Sequence, residues 1–80
     1  METNKIRTAL IQSGIKNLKE FGYSNVNEKN ILFDLIYASF FQSMLTESKE
    51  VALSKQMNDV ASEIDALLFE VENNLINAKF

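Results

Sequence analysis

The sequence contains no cysteine, no histidine and no proline, and only two glycines. Without cysteine there is no disulfide and no thiolate metal site. Without histidine the chain lacks the commonest general base and the commonest metal ligand, and no Ser-His or Cys-His nucleophile can be assembled. No zinc signature, dinucleotide fingerprint or phosphate-binding loop is present, and the isolated Gly14 and Gly22 cannot cradle a phosphate chain. Long apolar runs are also missing. The densest, Ile31 to Leu45, falls short of the roughly 20 residues that span a bilayer, and it contains Asp34. The start of the chain shows no positive, apolar, small-residue order, so no signal peptide is expected. These absences predict a soluble cytoplasmic protein that is not an enzyme, needs no cofactor or metal and does not enter membranes. Carboxylates remain: Asp59 and Glu63 are one helical turn apart and Glu70 follows a heptad later. Such a row could hold a divalent cation only weakly. Acids on the polar flank of a helix are ordinary surface, so no metal site is assigned.

The 80 residues form one domain, residues 1–80. A chain this short buries only about 60% of its unfolded surface, so modest stability is expected. The net charge of −3 hides an asymmetry: residues 1–30 balance at +2 and residues 31–80 at −5. Such halves attract each other in a folded chain and steer partners weakly.

With few breakers in the sequence, the apolar spacing predicts an all-α fold, a small bundle of three helices at about 3–21, 28–46 and 53–78. In the first, Thr3 or Asn4 can cap the amino end. Ile6, Leu10, Ile11, Ile15, Leu18 and Phe21 fall within half of the helical wheel. Gly14 lies amid that arc, where a helix-interior glycine costs about 1 kcal/mol relative to alanine; either it admits the backbone of another helix or it is simply tolerated. Arg7 also points into the arc, where it snorkels to water or pairs with an acid such as Asp34, with a ligand-binding role as the lesser alternative. The opposite face carries Lys5, Gln12, Lys16 and Lys19. Gly22 then suits a left-handed helix terminus. Asn27 is a good cap for the second helix, and Glu28 favours its positive end. In that helix Phe33, Ile36, Tyr37, Phe40, Phe41 and Met44 share one broad face, with Ile31, Leu32 and Leu35 on the other side. A helix so apolar wants cover on more than one side, hence a central place in the bundle.

The polar segment Thr46 to Glu50 reads as the next connection, with Ser48 and Ser54 as rival caps. From there Leu53, Met57, Val60, Ile64, Leu67 and Val71 alternate in steps of four and three, a heptad seam that Leu68 and Leu75 widen. Phe69, Ile76 and Phe80 fall about 120° or more away and form a second apolar ridge.

The residues Gly22-Tyr23, Val26, Asn30-Ile31-Leu32, Asp34, Tyr37, Phe40-Phe41 and Ser43-Met44-Leu45 resemble a pattern in short proteins of tailed bacteriophages and prophages, over roughly residues 5–46. The resemblance implies a phage origin and a bacterial intracellular setting. It implies no activity and carries over no functional residues.

Three functions follow as expectations. The first is a small helical accessory factor that binds and modulates a host or phage protein, anchored by Phe69, Ile76 and Phe80 with Tyr23 at the rim. The second is a homo-oligomeric structural or scaffolding component in which self-association completes the bundle. The third is a weak nucleic-acid-binding regulator using Lys5, Lys16 and Lys19. It is disfavoured because the helix after the short turn is too apolar for a groove and the last helix is acidic.

Overall fold

The computed structural model describes residues 2–78, with side chains described for 5–77. The all-α expectation holds, but four helices form where three are predicted: α1 (Glu2–Glu20), α2 (Glu28–Phe33), α3 (Leu35–Ser54) and α4 (Asn58–Ala78). No strand occurs among the described residues.

α1 ends as its glycine demands. Gly22 has φ of 105°, and the Tyr23 and Gly22 amides donate to the carbonyls of Leu18 and Lys19. This is the paired-bond closure that needs a left-handed residue. Asn27 then caps α2 as expected. Its side chain accepts from the Asn30 amide at 2.9 Å, and Asn30 returns the bond to the Asn27 amide at 3.1 Å.

The first correction is at Asp34. The predicted continuous helix over 28–46 breaks there, because Asp34 ends α2 and caps α3 at once. Its amide donates to the Asn30 carbonyl at 2.8 Å, while its carboxylate accepts from the Ile36 and Tyr37 amides at 3.0 and 3.3 Å. A carboxylate at a helix start also meets the positive end of the helix dipole. The break has a packing reason. In one continuous helix Leu32 and Phe41 would stand about 180° apart; across the break both enter the core. The expected face is thereby divided. Phe41 is buried, Tyr37 and Met44 are half-buried, and Phe33, Ile36 and Phe40 are exposed. Ile31 and Leu32, placed by the wheel among polar residues, are core.

The second correction is the connection. Thr46 to Glu50 is helical and α3 runs on to Ser54, so neither Ser48 nor Ser54 caps the last helix. Glu and Lys are good helix formers. The segment is polar because it is largely solvated, with Lys49 paired to Asp65 of α4 at 2.7 Å. The chain turns instead at 55–57. The Gln56 amide donates to Leu53 and the Met57 amide to Ala52, the same closure as at Gly22, but with a non-glycine residue at φ of 59°. Met57 then accepts from the Ala61 amide and opens α4. Left-handed backbone costs a residue with a Cβ about 1 kcal/mol that glycine escapes. Gln56→Gly is therefore expected to raise stability by about 0.5–1 kcal/mol in urea unfolding. A loss would show that the Gln56 side chain holds the turn.

α3 and α4 pack antiparallel, as the Lys49–Asp65 pair and the nearness of Leu35 to Ile76 show. α1 and α2 lie over the hairpin. Asn74 of α4 donates to the Leu32 carbonyl at 2.9 Å and so satisfies the end of α2. Arg7 finds Glu70 of α4, with Nη2 donating at 2.9 and 3.2 Å. The suggested partner Asp34 is unavailable because it caps α3. Both side chains of the pair are over a third exposed, so its contribution stays under about 1 kcal/mol. The core joins Ile11, Ile15 and Leu18 of α1 to Ile31, Phe41, Leu45, Ile64, Leu67 and Val71. Of the predicted seam, Ile64, Leu67 and Val71 are core, whereas Leu53 and Met57 lie in or beside the turn and are exposed.

Candidate interaction surface

The seam of α4 turns inward, and the period of the helix fixes what remains outside. Counted from Ile64 at about 100° per residue, Asp65, Phe69, Glu72 and Ile76 fall together on the flank beside α3. Phe69 is 68% and Ile76 56% exposed, so α1 does not cover this ridge. From α3, Leu35, Ser39 and Gln42 meet Glu72, Leu75 and Ile76 around a shallow depression of about 300 Å³. Phe69 and Ile76 thus sit two turns apart on one line, with Leu35, itself half exposed, extending the apolar surface onto the neighbouring helix. Phe80 lies outside the described residues.

Tyr23 is placed elsewhere. Its ring packs edge-on against Tyr37, with centroids 5.5 Å apart, and beside it Phe21 packs edge-on against Phe40 at 5.4 Å. Tyr37 and Leu35 stand about 200° apart on α3, so the aromatic pair belongs to the flank facing α1 and does not join the Phe69–Ile76 line.

On that same α1-facing flank, further along α3, lies a larger groove of about 410 Å³. Its apolar lining comes from Leu10 of α1, Met44 and Val51 of α3, Met57 of the turn, and Val60 and Ile64 of α4. Glu47 and Lys55 stand at its rim. The groove exists because the α3–α4 hairpin extends past the part that α1 covers. Sequence reasoning missed it. Val51 falls outside the heptad steps, and the segment before it reads as a connection rather than as helix.

Lys5, Lys16 and Lys19 are exposed on the outer face of α1. Among the described residues no three acidic side chains converge, and no helix is long and apolar enough to cross a membrane. The chain matches no protein-family model, no curated protein and no solved structure.

Proposed function

We propose that the protein is a non-enzymatic helical interaction protein that binds another protein through the outer flank of α4. In the phage-derived bacterial setting implied by the resemblance, it acts in the cytoplasm as an accessory factor that modulates a host or phage protein. The observation that carries this reading is the exposure of Phe69 and Ile76 on one helical line, extended by Leu35. Exposed apolar side chains are ordinary when scattered singly, but a contiguous patch of them marks an interaction site. Such side chains supply most of the energy when a helix face meets a groove. Asp65 beside them is paired with Lys49, and Glu72 gives the site an acidic edge, which favours a partner with a basic residue beside its apolar patch.

The test is capture from a bacterial lysate with the wild-type chain and the Phe69→Asp/Ile76→Asp variant, followed by affinity measurement with the captured protein. The variant is expected to bind about a hundredfold more weakly or worse, with unchanged helical circular dichroism because neither side chain is in the core. Binding that survives both changes would remove α4 as the interface.

A homo-oligomeric structural component is the second reading, favoured by the groove along α3. Nucleic-acid binding through Lys5, Lys16 and Lys19 has less support. The helix after the first turn is α2, six residues long with Ile31 and Leu32 buried, and it offers no recognition helix.

A further inference from the structure

We propose that two copies of the chain pair through the second half of α3, antiparallel across a twofold axis at Val51, with Glu47 of each against Lys55 of the partner subunit. This surface is distinct from the outer flank of α4 and does not depend on the reading given to that flank.

The groove has an apolar floor that the chain leaves open: Val51 is 52% and Met57 48% exposed. The order of its α3 residues gives it direction. Val51 has Glu47 one turn before it and Lys55 one turn after it, both exposed on the same side of α3. Met44 lies two turns before Val51 on the same side, and Met57, whose amide donates to the Ala52 carbonyl, folds back beside the last turn of α3; both line the groove. The order along α3 is therefore Met44, Glu47, Val51, Lys55, with acid and base equally spaced about Val51. A twofold rotation through Val51 lays Glu47 of each copy on Lys55 of the other, so acid meets base at two places and Val51 meets Val51 on the axis. A parallel arrangement would set Glu47 on Glu47 and Lys55 on Lys55. An isologous interface requires a patch complementary to itself, and this patch is complementary in charge only to an antiparallel copy. Neither Glu47 nor Lys55 is in an ion pair among the described residues.

The two methionines supply soft, adaptable packing against the second copy.

The test is absolute mass by size exclusion with light scattering, over a roughly thousandfold range of concentration. The wild type is expected to approach twice the chain mass of 9.1 kDa. Glu47→Lys and Lys55→Glu each turn two attractions into two repulsions across the axis, and each is expected to weaken the dimer about tenfold or more. The double variant Glu47→Lys/Lys55→Glu restores both pairs and is expected to recover the dimer. An equimolar mixture of the two single variants is expected to form a mixed dimer, since one then presents two bases and the other two acids. The changes lie at exposed positions, and circular dichroism checks that each variant is folded. A wild type that stays monomeric throughout overturns the proposal and leaves the groove to another occupant. A dimer indifferent to Glu47→Lys, or a double variant that does not recover, overturns it equally.

Discussion

Phe41→Ala is expected to remove about 3–5 kcal/mol of stability, the range for deleting a fully buried aromatic side chain. A domain of this length has roughly 4–12 kcal/mol in all, so the variant loses about a quarter of its stability or more. Phe41 is 1% exposed and heads the fully buried side chains by volume. It lies where α1, α2 and α3 meet, with its ring against Gly14 of α1. The neighbouring Phe40→Ala serves as the contrast. Phe40 is partly exposed and packs edge-on against an exposed Phe21, and an aromatic pair of that kind contributes about 0.5–1.5 kcal/mol beyond area burial. Urea unfolding of the two variants separates the assignments. Equal losses would mean that the break at Asp34 does not divide the two phenylalanines between core and surface.

Gly14→Ala is expected to destabilise by up to about 2 kcal/mol, although alanine is the better helix former. A Cβ at Gly14 would stand 2.7 and 2.8 Å from Cδ1 and Cε1 of Phe41 and 3.3 Å from Cδ1 of Ile31. The ring is rigid and enclosed, so it cannot swing away. Overpacking of this kind costs about 1–3 kcal/mol, against a gain in helix propensity of about 1 kcal/mol. Placing leucine at 41 removes the ring, and in that background Gly14→Ala is expected to become neutral or stabilising. The coupling of about 1–3 kcal/mol between the two positions, read from a double-mutant cycle, is the quantity to measure. Additive effects would show that Gly14 does not seat the Phe41 ring.

That pairing shows how far residue types and spacing reach. The pattern of α1 offers Gly14 as a point of close approach or a tolerated glycine and does not say that an aromatic ring, not another backbone, fills the space. Gly22 and Asn27 are readable because each serves a local need, a left-handed backbone or a cap, that few other residues meet. Asp34 carries the same signal, an N-cap residue inside an apolar run. Periodicity, however, treats the run as one helix and so assigns Phe33, Ile36 and Phe40 to the wrong side. Gln56 gives no signal at all. The turn at 55–57 rests on a residue that is not a usual left-handed one, and the polar segment before it looks more like a connection than the turn does. Phe69 and Ile76 could be read as a separate ridge because α4 is long and regular. The groove at Val51 could not, since it arises from how far α1 reaches along the hairpin, which no local pattern records.

Two separable surfaces on opposite flanks of α3 and α4 form the centre of this account. The most direct test is the mass of the Phe69→Asp/Ile76→Asp variant against concentration, beside the wild type and Glu47→Lys. The account predicts that the α4 variant dimerises like the wild type while Glu47→Lys does not. Loss of the dimer in the α4 variant, with Glu47→Lys unaffected, would contradict it by making the Phe69–Ile76 ridge the self-association surface.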